Sequence, residues 1–134
     1  MKRSFRSGLP TQVNIGLLIL RVWLGAGLFV KHGLEKVLHF SGMAAHFPDP
    51  IHVGPTTGLV FSLISDAVCS LLIVAGLLTR AAALLIFINL LVVFIFIHHF
   101  SFMEDHAELV YIYMGGFLVL LLTGAGKFSV DARL

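Results

Sequence analysis

The chain has 134 residues, of which 58% are hydrophobic and only 12% are charged. A soluble domain carries roughly 25% charged residues, so this composition excludes a water-soluble protein and a nucleic-acid binder built on a basic face. The formal net charge of only +2 gives no argument for nucleic acid either. The composition indicates an all-α integral membrane protein, with residues 1–134 as a single domain and the lipid bilayer as its partner. The single cysteine, Cys69, excludes an internal dithiol relay, because such a relay needs two thiols.

Four apolar segments are long enough to cross a bilayer as helices, which takes about 20 residues each. They are predicted at residues 13–31, 59–78, 81–98 and 107–123. Only the Thr79-Arg80 pair links the second segment to the third, and so short a link predicts an antiparallel helical hairpin. The predicted fold is therefore an antiparallel four-helix transmembrane bundle.

The distribution of Lys and Arg predicts the orientation of this bundle. Most of these residues fall on one predicted side: Lys2, Arg3, Arg6, Arg80, Lys127 and Arg133. Lys31 and Lys36 fall on the other side. Because loops rich in Lys and Arg stay in the cytoplasm, we expect a multi-pass protein of the inner (cell) membrane with both termini cytoplasmic.

The connection at residues 33–57 is predicted to be a long outer loop. Its Phe-Pro-Asp-Pro stretch, from Phe47 to Pro50, does not continue a helix, because proline lacks an N–H group and clashes with the preceding turn. We expect Phe40, Met43 and Phe47 to fold back as a short interfacial segment over the mouth of a polar pocket.

All seven histidines fall on the predicted outer side: His32, His39, His46, His52, His98, His99 and His106. One interpretation is that the outer loops are simply longer and more polar. The other is an outward-facing site for metal, haem or protons, because neutral imidazole is a common ligand and titrates near pH 6.5. The candidate haem or metal ligands are His32, His98 and His99, although none of the histidine pairs has a recognised metal-binding spacing.

Two charged residues lie deep inside apolar segments, away from the segment ends: Arg21 in the first and Asp66 in the second. A central Arg or Asp costs roughly 2.5–3.5 kcal/mol to insert, so such residues face the bundle interior and tend to pair. Their predicted depths favour an Arg21–Asp66 ion pair. The alternative is that Arg21 extends to the cytoplasmic headgroups.

The spacing around Arg21 predicts one interior stripe, because residues three and four apart share a helix face. The stripe contains Arg21, Gly25, Leu28, His32 and Lys36. Glu108, Tyr111 or Ile112, and Gly115 are predicted to form a comparable face on the last segment. The candidate residues of an outward-opening polar pocket are Arg21, His32, Lys36, Asp66, His98, His99, Glu108 and Tyr111. No nucleophile or nucleotide motif identifies a catalytic residue.

Three motifs in order carry a family resemblance. The first is Arg21, Gly25, Phe29, His32, Gly33 and Lys36; the second is Asp66 followed by Gly76, Leu77, Leu78, Thr79 and Arg80; the third is Glu108 followed by Gly124–Asp131. With these motifs the sequence resembles the DoxX-like membrane proteins from about Leu17 to Asp131. It departs from the family pattern at Asp66, where Glu is usual, at Cys69 and Ser70, which replace a Gly pair, and at Ala125, where Pro is usual.

The resemblance implies a four-helix inner-membrane protein, associated with redox chemistry or with quinones, and whether it is itself an enzyme stays open. A quinone headgroup would be bound by Arg21, Asp66 and His32, with electrons from a haem or from a redox partner protein. The alternative is a non-enzymatic assembly or stability partner, or a small transporter, in which the charges only hold the bundle together. A second copy of the chain is a further candidate partner.

Overall fold

In a computed structural model of the chain, residues 10–44, 52–97 and 107–133 are described. Over these ranges the protein is helical and contains no strand. The helices are α1 at Thr11–Leu38, α2 at Phe40–Ala44, α3 at Pro55–Ala75, α4 at Thr79–Phe96 and α5 at Ala107–Thr123. A turn of 3₁₀-helix follows at Asp131–Arg133.

Neighbouring long helices pack antiparallel: as the residue number rises along one helix, the number of the residue it contacts on its neighbour falls. The pairs are Gly25 with Ser70 and Gly33 with Asp66 for α1 and α3, Leu24 with Gly116 and Gly27 with Tyr113 for α1 and α5, and Arg80 with Leu122 and Phe94 with Tyr111 for α4 and α5. The α3–α4 hairpin adds Ser62 with Asn89. This confirms the predicted antiparallel four-helix bundle.

Three of these helices, α1, α3 and α4, are long and apolar enough to cross a membrane. Helix α5 has 17 described residues, which is the short end of the usual range of about 17–25. Apolar side chains fill the interior, with Leu28, Ile73 and Phe117 fully buried, and they also cover the outside, where Trp23 is 77% exposed. Apolar residues on both faces are typical of a bundle surrounded by lipid.

Helix α1 continues to Leu38, past the predicted end of the first span at residue 31. The extension, Leu-Glu-Lys-Val-Leu from Leu34 to Leu38, consists mostly of good helix formers. Helix α2 follows and packs against the first turns of α3. The expected fold-back is therefore seen for Phe40 and Met43, which are half-buried, whereas Phe47 lies outside the described residues.

The turn between α3 and α4 lies at residues 76–78, so its predicted position at Thr79-Arg80 is wrong by a few residues. Gly76 ends α3 in the left-handed conformation, with φ of 76°, which glycine adopts without a steric penalty. Leu78 is also left-handed, and Thr79 already begins α4. The predicted antiparallel hairpin itself is present.

Three of the long helices contain a segment of wider π-helical turn, at Phe29–Gly33 in α1, Ile64–Cys69 in α3 and Val93–Ile97 at the end of α4. Those of α1 and α3 contact each other. Such segments change which residues face a neighbouring helix, and they are frequent at functional sites. The segments of α1 and α3 contain His32, Ser65 and Asp66, which form part of the site described below.

Candidate functional site

A buried ion pair joins α1 to α3. The Lys36 Nζ atom lies 2.8 Å from Asp66 Oδ2, and the two side chains are only 9% and 7% exposed. Lys36 also donates to the carbonyl oxygen of His32 at 3.5 Å, while Asp66 Oδ1 accepts a hydrogen bond from Ser65 at 3.4 Å. The two charges neutralise each other inside the bundle. Each charged group also makes a hydrogen bond with a nearby residue, Lys36 with His32 and Asp66 with Ser65.

Gly33 allows the two helices to approach closely enough for this pair. A Cβ atom at Gly33 would overlap the carbonyl oxygen of Asp66 and lie 2.9 Å from the Cα atom of Ala67. The Ser70 hydroxyl donates to the carbonyl oxygens of Asp66 and Ala67 at 2.6 and 3.0 Å, which satisfies acceptors within the wide turn of α3. Gly33 therefore lets α1 approach α3 closely, and the Ser70 hydroxyl satisfies carbonyl groups in the wide turn of α3 that holds Asp66.

Two further polar side chains lie within electrostatic range of Asp66. His32 and Tyr113 are half-buried, and both interact electrostatically with Asp66. The Tyr113 hydroxyl lies over Gly27, where a Cβ atom would be only 2.9 Å away. We call His32, Lys36, Ser65, Asp66 and Tyr113 the polar cluster. It combines an ammonium group, an imidazole, a phenol and a carboxylate, so it offers several hydrogen-bond donors and one strong acceptor.

The predicted Arg21–Asp66 ion pair is wrong. Arg21 is fully buried, and its Nη1 atom donates to the carbonyl oxygens of Ile73 and Val74 at 3.2 and 3.0 Å, while Nη2 donates to the carbonyl oxygen of Phe128. Extension of Arg21 to the headgroups is equally inconsistent with its complete burial. Ile73 and Val74 lie in the last turn of α3, where the carbonyl groups carry partial negative charge that favours a cation.

The predicted stripe on α1 does face the interior. Arg21, Gly25, Leu28 and Lys36 are buried and His32 is half-buried. The stripe serves two separate sites, however, because Arg21 contacts the last turn of α3 while Lys36 and His32 belong to the polar cluster.

The face predicted on the last helix is wrong. Glu108 and Tyr111, together with Ile112 and Gly115, are exposed. Tyr111 instead packs its ring against Phe94, with centroids 6.2 Å apart. The interior face carries Tyr113, Phe117 and Leu120. Because α5 is apolar around its whole circumference, its periodicity does not mark a buried side, and Tyr113 was missed as a site residue. The stacking partner four residues on, Phe117, was the available signal.

Of the seven histidines, three lie in the part of the chain that the structure describes: His32, His39 and His52. His46, His98, His99 and His106 lie outside the described residues, so their roles stay predictions. His39 and His52 are exposed. Within residues 10–44, 52–97 and 107–133, no group of three or more His, Cys, Asp or Glu side chains is arranged to hold a metal ion.

A second buried polar contact joins α3 to α4. The Ser62 hydroxyl lies 3.2 Å from Asn89 Oδ1, and both residues are buried. Asn89 is the one strongly polar residue between Ala81 and Ile97, and its polar partner across the interface fits the rule that buried polar groups are hydrogen-bonded.

The fold and its internal charges define a small helical membrane protein with ionised side chains between its helices. The chain belongs to the DoxX family, whose family model matches residues 16–99. This match contains both members of the Lys36–Asp66 pair. An uncharacterised protein of Haemophilus influenzae is 32% identical over 125 residues, which cover 88% of this chain and 82% of that protein. No solved structure matches the chain.

Proposed function

We propose that the protein is a redox-associated inner-membrane subunit whose polar cluster binds the headgroup of a membrane quinone. The observation that supports this most strongly is the buried Lys36–Asp66 pair, with half-buried His32 and Tyr113 within electrostatic range of Asp66. Ionisable residues are rare in membrane spans and usually mark ligand or proton pathways. Buried charge inside an apolar bundle therefore favours a binding site over a purely lipid-facing role.

The chemistry of the cluster suits this ligand class. A quinone presents two carbonyl oxygens, which accept hydrogen bonds, and an isoprenoid tail, which prefers an apolar environment. Lys36, His32 and Tyr113 are donors for the carbonyl oxygens, and Asp66 is an acceptor for the hydroxyl groups of the reduced quinol. His32 and Tyr113 are the accessible members, so they provide the route by which a headgroup reaches the pair.

Electron supply requires a second component. The single Cys69 is buried and forms no dithiol. His32 belongs to the polar cluster, and the other candidate haem ligands, His98 and His99, lie outside the described residues. We propose that electrons reach the quinone from a redox partner protein or from a bound haem.

We further propose that the protein crosses the inner membrane four times with both termini cytoplasmic. The cluster then opens towards the outer side, at the end of the bundle that carries α2. Reporter fusions after Leu134 and between Ala44 and His52 test this orientation. We expect the first fusion to report from the cytoplasm and the second from the periplasm; a periplasmic signal from the Leu134 fusion would contradict it.

The ligand proposal is tested by extracting quinone from purified protein. The variants are Lys36→Met and, as a matched control, Lys31→Met, whose lysine lies on the same helix but is exposed. We expect the unchanged protein and Lys31→Met to carry about one quinone per folded chain and Lys36→Met to carry little. Unchanged protein that carries no quinone, although purified from quinone-containing membranes, would refute the proposal.

A second candidate function is a non-enzymatic assembly or stability partner, with transport of a small solute as a variant of it. One observation favours it: Arg21 donates hydrogen bonds to three main-chain carbonyl groups and so holds α1 to its neighbours. This function predicts a colourless preparation that contains only lipid, so the same extraction separates the two candidates.

A further inference from the structure

The described end of the chain after α5 packs across one end of the bundle. We call residues 124–133 the terminal segment. It leaves α5 through Gly124 and Gly126, whose φ angles of 75° and 83° fall in the left-handed region that glycine adopts readily. Ala125 and Ser129 are buried. The terminal segment is thus a packed element of the fold.

The terminal segment contacts two buried polar side chains of α1. The backbone N–H of Lys127 donates to Asn14 Oδ1 at 2.8 Å, and the carbonyl oxygen of Phe128 accepts from Arg21. Both Asn14 and Arg21 are almost fully buried. Since buried polar groups without partners are costly, these contacts give the docked segment a specific position on α1.

The same segment also supplies the N-terminal cap of α4. Asp131 Oδ1 and Oδ2 accept hydrogen bonds from the backbone N–H groups of Leu78 and Thr79 at 2.8 and 2.9 Å. The Asp131 N–H donates in return to the carbonyl oxygen of Gly76 at 2.8 Å. The residue before α4, Leu78, provides no side-chain cap of its own. A carboxylate at this position satisfies free N–H groups and interacts favourably with the helix dipole.

We propose that the terminal segment is an intramolecular latch that fixes α1 to the α3–α4 hairpin. When docked, it makes hydrogen bonds with Asn14, Arg21 and the start of α4 together, and Asp131 interacts electrostatically with Arg21. When released, it exposes this end of the bundle to water and leaves Arg21 with the α3 carbonyl groups alone. Asp131 is the main determinant of the docked state, because its two carboxylate oxygens and its N–H group all contact the α3–α4 turn.

The latch is tested by cysteine accessibility in the full chain, purified in detergent with Cys69→Ala to remove the native thiol. Ser129→Cys reports on the segment itself, since Ser129 is 7% exposed. Thr79→Cys reports on the α4 start beneath it, and Thr123→Cys, at an exposed position, is the control. We expect slow maleimide labelling at the first two sites and fast labelling at the third.

Adding Asp131→Ala is expected to accelerate labelling of Ser129→Cys and Thr79→Cys about tenfold, the scale of losing a helix cap. The control at Thr123 should not change. If Asp131→Ala does not yield folded protein, Asp131→Asn keeps one acceptor oxygen and should give a smaller acceleration. Labelling of Ser129→Cys as fast as the control before any change at Asp131 would overturn the latch, and so would rates that neither Asp131 variant alters.

Discussion

Replacing Lys36 by Met should strand the Asp66 carboxylate inside the bundle. The two charged atoms lie 2.8 Å apart, and Asp66 keeps only 7% of its side-chain surface exposed, so little water is available to replace the lost ammonium group. Breaking a buried pair by removing one partner costs about 3–5 kcal/mol, since the remaining charge is uncompensated. The Ser65 hydroxyl, at 3.4 Å from Asp66 Oδ1, offsets only a small part of this loss.

The double-mutant cycle measures the coupling. Lys36→Met, Asp66→Asn and the double variant are compared by thermal unfolding in one detergent, with Lys31→Met as the control for loss of an exposed lysine. We expect large single losses, a double variant that recovers part of them, and a control close to the unchanged protein. Purely additive losses would refute the ion pair, because residues without a direct interaction combine additively.

Two further substitutions test the packing around the cluster. Gly33→Ala should destabilise the bundle by about 1–3 kcal/mol, because the new methyl group overlaps the Asp66 carbonyl. The control Gly115→Ala, at a position with open space around it, should be neutral or stabilising. Equal effects of the two variants on the unfolding midpoint would contradict this. Ser62→Ala should lower stability by about 1–3 kcal/mol by leaving the buried Asn89 amide without its partner, and the loss should largely disappear when Asn89→Leu is added.

The helices and the interior face of α1 could be predicted because they depend on local properties of the sequence. The length of an apolar run determines whether it spans a bilayer, and residues three and four apart share a face whatever the rest of the chain does. The sequence alone therefore predicts Arg21, His32, Lys36 and Asp66 as residues of a polar pocket.

The pairing among these residues could not be predicted, because it depends on which residues of α1 lie opposite which residues of α3 in the packed bundle. The wide turns at Phe29–Gly33 and Ile64–Cys69 shift the facing residues, and α1 extends far enough to bring Lys36 to Asp66. Arg21 donates to main-chain carbonyl groups, which every residue possesses and which therefore leave no signature in the sequence. Helix α5 is apolar on all sides, so Glu108 was placed inside although it is exposed.

Photolabelling of the purified protein tests the central claim, quinone binding at the polar cluster, most directly. A short-tailed quinone with a photoreactive group is irradiated with the protein, and the labelled peptides are mapped with and without excess natural quinone. We predict labelling within Phe29–Leu38 and Ile64–Ser70 that the natural quinone suppresses and that Lys36→Met abolishes. Labelling confined to lipid-facing positions such as Trp23, and unaffected by the competitor, would contradict the account.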